Sequence, residues 1–304
     1  MNRMDKKPRI AFCFSWQART LDQTYIFFQR NLFDTAREQW FNYDVFCAVE
    51  DDEDVDKVKL LNPTKVEKIK TNNVEKIIEK KYWELFNNSM EISQNCYLFN
   101  NQYFILLDKN KVYNFLQQIY KVSQSFLISK QSKENYDIVL RLRFDTFFLN
   151  KLNFHKITEY INDKKIILCN SYERIRFKKF YQIEDLFFIW NKFLADSLEE
   201  IFINFLDPLK WDEIKNKHIL NIFSLIRKCI NKINTGLNIK LPTYPILCVE
   251  SLFYKIFSPE GCYYNFFIKK GFNIKTYKFS HILLRKDWST SYIKIEKNKA
   301  FFEI

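Results

Sequence analysis

Glycine is nearly absent: the 304 residues hold three, Gly236, Gly261 and Gly271. Rossmann-type and P-loop phosphate sites need glycine where the backbone meets phosphate. Neither can be built from this chain, and two large enzyme classes drop out. The seven cysteines are odd in number and scattered, with no CxxC pair, and the three histidines lie far apart. Zinc-finger spacing is therefore missing. Cys13, Cys47, Cys169 and Cys248 sit in apolar runs, where they read as small buried hydrophobes of a reducing compartment. The opening MNRMDKKPR lacks the apolar core of a secretory signal. No charge-free apolar run has the length needed to span a bilayer. A cytoplasmic location is expected.

Aromatic residues make up 18% of the chain and hydrophobic residues 47%, too much for a disordered protein. The length suits one large domain with a substantial core. Lysine and arginine exceed aspartate and glutamate by 48 − 36 = +12. Such a surface favours anionic partners: nucleotide phosphates, nucleic acid or acidic lipid headgroups. A peripheral contact with an anionic membrane is compatible with it.

The stretch YDIVLRLRFDTFFLN, residues 136–150, is the most informative. Its apolar run breaks into Arg141, Arg143 and Asp145, and burying unpaired charges inside a strand is costly. It reads as a central strand whose C-terminal end opens into a polar cleft, where open α/β sheets bind ligands. On a strand Arg141 and Arg143 share a face, and Asp145 continues it if the strand persists. Two guanidinium forks beside a carboxylate suit a phosphate-bearing ligand, with or without a divalent cation. A salt-bridged strand end without a ligand is the alternative.

Around this stretch the chain alternates. Residues 9–15 (RIAFCFS) form a first buried strand that empties into a polar loop. A helix follows, capped by Thr20 or Asp22, with Tyr25, Phe28, Leu32 and Phe33 facing the sheet. Residues 43–50 are a second strand ending in acids, read chiefly as a solvated loop. Glu50 or Asp51 there is placed to hold a ribose or base. Residues 65–70 are weakly strand-like, 74–128 turn helical, and 165–170 form a further strand. Residues 171–182 interleave basic and aromatic side chains, as a loop over an anionic substrate or as a single-stranded nucleic-acid contact. Residues 183–205 and 211–233 read as helices, with Asp185 opening the first as cap or functional acid. Glu250 sits in an apolar run, and His281 and Arg285 lie on or just beyond a last strand. The fold expected is α/β, with a mostly parallel sheet flanked by helices and a helix-rich C-terminal half.

Three short stretches carry a resemblance. FSWQART at 14–20 resembles the S-G-Q-x-R-T that ends the first strand in one group of bacterial and viral glycosyltransferases of the GT-A type. YDIVLRLRFDTFF at 136–148 resembles that group's YD-x-(V/I)-(I/L)-R-x-R-x-D, and IEDLFFIW at 183–190 its later helix start. Trp16 stands where the group has glycine, and the usual D-x-D appears as RFD, with Asp145 its one acid. The resemblance implies a single GT-A-like domain over 1–304, with a nucleotide-binding half (1–150) and an acceptor-binding half (151–304). It implies sugar transfer from a nucleotide-sugar donor to a glycan or lipid-linked glycan, as in capsule or lipopolysaccharide synthesis. Ser15, Gln17, Arg19, Glu50, Arg141, Arg143, Asp145 and Arg285 would bind the donor. Asp145 and His281 would hold a divalent cation (Mn²⁺ or Mg²⁺), unless the arginines alone neutralise the diphosphate. Asp185, or else Glu250, would be the base of an inverting enzyme. Another phosphate-handling transferase, using the same cleft, and a basic nucleic-acid-binding protein are the competing readings, the latter disfavoured.

Overall fold

The computed structural model describes residues 7–80, 109–162, 165–173, 181–190, 263, 266–268, 270–277 and 281–283. Its centre is a seven-stranded sheet in the order β3-β2-β1-β4-β7-β6-β8. The strands are β1 (Arg9–Trp16), β2 (Asn42–Glu50), β3 (Lys65–Ile69), β4 (Ile138–Leu142), β6 (Ile166–Glu173), β7 (Tyr181–Trp190) and β8 (Asn273–Thr276). β3, β2, β1 and β4 are mutually parallel, β7 runs antiparallel to β4 and to β6, and β8 is parallel to β6. A separate ribbon pairs β5 (Thr146–Phe148) with β9 (His281–Leu283). The expected α/β architecture, with a parallel block at its heart, is what the chain adopts.

β1 explains the arrangement. Six of its eight residues are buried, as a strand covered on both faces requires. Ile10, Phe12 and Phe14 point into one core layer, where Phe12 meets Phe33 edge-on at 5.2 Å and Phe14 meets Phe28 at 5.0 Å. That layer is closed by α1 (Leu21–Phe28), a π-helical turn (Gln29–Phe33), α2 (Asp34–Glu38) and α5 (Phe154–Ile161). The residues expected to face the sheet do so: Phe28, Leu32 and Phe33 are buried, and Tyr25 packs partly buried against them. Ala11, Cys13 and Ser15 take the opposite face of β1. There α4 (Lys109–Lys130) lies across the sheet, with Cys13 hydrogen-bonded to Ser129. A further helix, α3, begins at residue 71 and is described to residue 80.

β3 closes one side of the sheet, and its Lys65, Glu67 and Lys68 are exposed. Alternating charge is a common guard on an open strand edge.

Residues 183–190, expected to begin a helix, are strand instead. Phe187, Phe188, Ile189 and Trp190 favour strands, and the run is paired on both sides: Arg141 opposes Phe188 from β4 and Cys169 opposes it from β6. A helix there would leave the β4 edge open. The basic-aromatic segment is shorter as a loop than the sequence indicates, because Ser171, Tyr172 and Glu173 pair with Ile183, Gln182 and Tyr181. Residues 174–180, the remainder of 191–233, Glu250 and Arg285 lie outside the described residues.

Candidate functional site

Strand order marks the place at which open α/β sheets bind ligands. From β1 the chain moves outward to β2 and β3, then returns across the sheet to place β4 on the other side of β1. The crevice at the C-terminal ends of β1 and β4 is the switch point at which open α/β sheets bind ligands.

Trp16 ends β1 with a backbone φ of 125°. Side chains seldom adopt that value, which glycine takes readily. The motif that residues 14–20 resemble, S-G-Q-x-R-T, has glycine at this position, and the backbone keeps the glycine conformation under a tryptophan. Two cations lie against the indole: the Lys121 Nζ is 5.2 Å from the ring centroid and the Arg143 Cζ 5.1 Å. Both are within cation–π range.

Each cation has its own carboxylate. Arg143 donates from Nε to Asp145 Oδ1 at 2.9 Å and from Nη2 to Oδ2 at 2.7 Å, a bidentate pair just past the end of β4. Lys121, from the middle of α4, donates to Glu50 Oε2 at 2.6 Å. The Lys121 side chain is 2% exposed and that of Glu50 14%. Thr71 donates its hydroxyl to the other oxygen, Glu50 Oε1, at 2.7 Å, and Gln17 adds a further hydrogen bond. Burial pushes the Glu50 carboxyl up; Lys121, Thr71 and Gln17 outweigh it and hold the group below its ordinary value. Burial lowers Lys121, only partly offset by Glu50. Asp52 goes the other way, raised by burial and by the charge of Glu50 against the lowering hydrogen bond from the Asp54 backbone N–H.

The remaining donor-site candidates are spread over this crest. Ser15 is 1% exposed, and its hydroxyl has no hydrogen-bond partner among the described residues. Arg19 is exposed, close enough to act electrostatically on Asp52 and Lys121. Its loop is held by Lys57, whose Nζ donates to the Arg19 carbonyl at 2.8 Å. Arg141 shares the α4-side face of the sheet with Cys13, its partner on β1, and is fully buried. It therefore belongs to the interior beneath the site, while Arg143 stands at the mouth. The segment after β4 is fastened to the helical layer: Thr24 donates to the Phe144 carbonyl and Asn31 to that of Phe148.

Because β7 is antiparallel to β4, its N-terminal half lies at the same end of the sheet as the C-terminal ends of β1, β2 and β4. Asp185 is in that half. As a strand residue it has no capping role, which removes the alternative that the sequence left open. His281 opposes Phe148, three residues along the chain from Asp145. Among the described residues no group of three or more histidine, cysteine, aspartate or glutamate side chains gathers as a metal site. Both Asp145 oxygens are engaged by Arg143.

Sequence reasoning found Gln17, Glu50, Arg143 and Asp145, which converge here, but not Lys121 or Thr71. A signal for Lys121 exists in retrospect. Gln117, Gln118, Lys121, Ser125 and Ser129 are all buried polar residues at helical spacing, a polar stripe turned inward.

No protein-family model and no curated protein matches the sequence. Solved structures with partial similarity include mouse xyloside xylosyltransferase 1 in its apo form, at 11% identity and a TM-score of 0.33, covering 72% of this chain and 81% of that one. The apo bifunctional glycosyltransferase WbbM matches at 9% identity and a TM-score of 0.30, over 67% of this chain and 35% of that one. The apo-form glycosyltransferase GlyE of Streptococcus pneumoniae TIGR4 matches at 14% and 0.28, over 71% and 43%. The chain spans less than half the length of the latter two. No helix among the described residues is long and apolar enough to cross a membrane.

Proposed function

We propose that the protein is a GT-A-like glycosyltransferase that moves a sugar from a nucleotide-sugar donor to a glycan or lipid-linked glycan. The observation that supports this best is the meeting of Gln17, Glu50, Arg143 and Asp145 around Trp16 at the switch point of the sheet. A nucleoside diphosphate leaving group gathers negative charge as the glycosidic bond breaks. Cations fixed beside it stabilise that charge more in the transition state than in the ground state. Arg143 and Arg19 are at the mouth for this purpose, and Ser15 offers a hydroxyl without a partner among the described residues.

Asp185 is the proposed base that takes the proton of the acceptor hydroxyl in an inverting reaction. It comes from the strand that reaches the same end of the sheet. Glu250 is the second choice. A divalent cation held by Asp145 and His281 would first have to draw the Asp145 carboxylate from Arg143; the alternative is that the arginines alone neutralise the diphosphate. The acceptor belongs to capsule, lipopolysaccharide or a similar surface glycan in this reading, made at the cytoplasmic side, where the +12 charge would favour an anionic membrane.

A thermal-shift screen with UDP, GDP, CMP and their sugar conjugates, each with and without Mn²⁺, tests the donor site. A ligand at about a hundred times its dissociation constant should stabilise the fold by ~2.7 kcal/mol. The expected result is one base-specific shift that disappears in Arg143→Ala. No shift with any nucleotide would reject the donor site.

A further inference from the structure

We infer that Lys121 is a positioning residue for this site: with Glu50 it props the Trp16 indole against Arg143. The inference rests on the donor-site reading for its purpose, though not for its geometry. Five side chains form one run of contacts, Glu50–Lys121–Trp16–Arg143–Asp145, with a carboxylate at each end, a cation next to each, and the indole contacted by both cations.

Three observations make this more than a stability contact. The Trp16 backbone is held at a φ of 125°, and such strain persists only where the surroundings over-determine it. Among the described residues Trp16 is restrained by its pairing with Val49 on β2 and by the pair of cations on its ring. Lys121 is almost fully buried, yet it stands at the cleft end of the sheet, where an apolar side chain would fill the same space at lower desolvation cost. Glu50 is engaged by Lys121, Thr71 and Gln17, so its carboxylate is occupied in holding the ammonium. Glu50 thereby changes role, from the ribose or base contact expected of a strand-end acid to the anchor of the prop. Gln17 follows Trp16 directly and binds the same carboxylate, which ties the loop after β1 to the same anchor.

Trp16 in turn sets Arg143. A guanidinium fork held on one side by Asp145 and backed by an aromatic face has few other orientations open to it. If Lys121 is removed, the indole loses one of its two cations, and Arg143 loses the fixed surface behind it. A phosphate-bearing ligand then meets a less ordered arginine.

The test uses the full chain labelled with 5-fluorotryptophan; the six tryptophans give separate ¹⁹F resonances, with that of Trp16 identified by its loss in Trp16→Phe. Lys121→Met is compared with the double variant Glu50→Gln/Lys121→Met, which leaves no charge stranded and so guards against simple unfolding. Lys133→Met, at an exposed lysine, is the control. The expected result is that the Trp16 resonance moves in both Lys121 variants but not in the control. The nucleotide found in the thermal-shift screen should bind more weakly by roughly threefold to thirtyfold, the span of a cation–π contact. An unmoved resonance in the folded double variant, or a moved one with unchanged nucleotide affinity, overturns the inference. If the wild type binds no nucleotide, the donor-site reading fails by itself. The resonance then still decides whether Lys121 props Trp16.

Discussion

Glu50 and Lys121 meet at 2.6 Å although 71 residues separate them, joining the end of a strand to the middle of a helix. The contact clamps α4 to the C-terminal rim of the sheet and puts a buried ammonium beside the candidate site. Removing one partner strands a charge, which for buried pairs is strongly destabilising. Lys121→Met should cost about 3 kcal/mol in urea unfolding, near the low end of the usual range because Glu50 keeps some contact with water. The double variant Glu50→Gln/Lys121→Met should lie within about 1–2 kcal/mol of wild type, since replacing both charges removes the desolvation penalty as well. A double variant as unstable as the single one would show that the pair is not the source.

Acid should expose the same pair. The Glu50 carboxyl is held below its ordinary value of 4.5, so near that pH the folded protein binds fewer protons than the unfolded chain. Its stabilisation is complete above that value and fades as the pH falls through the folded value. Wild type should therefore lose more stability than Glu50→Gln between about pH 5 and pH 3. Parallel unfolding curves at several pH values would show it, and identical losses would contradict it.

At Trp16 the usual ranking of small residues should invert. Alanine normally stabilises relative to glycine by restricting the unfolded chain. A φ of 125° reverses this, because alanine is strained there and glycine is not. Trp16→Gly should be more stable than Trp16→Ala by about 1–3 kcal/mol, the usual cost of such a backbone. Equal stabilities would mean the loop relaxes once the indole is gone.

Arg143→Lys should behave much more like Arg143→Ala than a charge-conserving change suggests. Lysine keeps the charge, but it cannot reproduce the two parallel bonds to Asp145 or present a planar face to Trp16. Nucleotide binding should fall in both variants, by about tenfold or more for lysine. Titration calorimetry with the responsive nucleotide would read it, and near-normal binding by the lysine form would reduce Arg143 to a point charge.

Asp185→Asn tests the proposed base. Transfer to the acceptor should drop by about 10²–10⁴-fold while donor binding is kept, the signature of lost proton transfer. Unchanged turnover would exclude Asp185 and turn attention to Glu250.

How much of this was legible in the sequence depended on how local the cause was. The parallel strands were, because β1, β2 and β4 are continuous apolar runs buried on both faces. Arg143 and Asp145, just past the end of the last of them, marked the rim, while Arg141 within it is buried. Residues 183–190 misled because Asp185 before an apolar run looks the same at a helix start and along a strand; pairing with β4 and β6 decides between them, and pairing is not local. Lys121 was hidden for a similar reason. A lysine in a helix is ordinarily solvated, and only the arrival of Glu50 from far along the chain makes its burial tolerable. The π-helical turn at Gln29–Phe33 has no signal that distinguishes it from the helix around it.

The strand order also has a bearing on synthesis. β1 gains β2 soon after it is made, but its other edge, along Ile10–Phe14, waits for Ile138–Leu142. The chain between must leave the ribosome first, and during that interval a strand with six buried residues of eight has an open side. β3, an edge strand of the sheet among the described residues, is guarded by charge; β1 is not. Slow translation or a missing chaperone should therefore harm this protein through the nascent β1 edge, as aggregates formed before β4 exists.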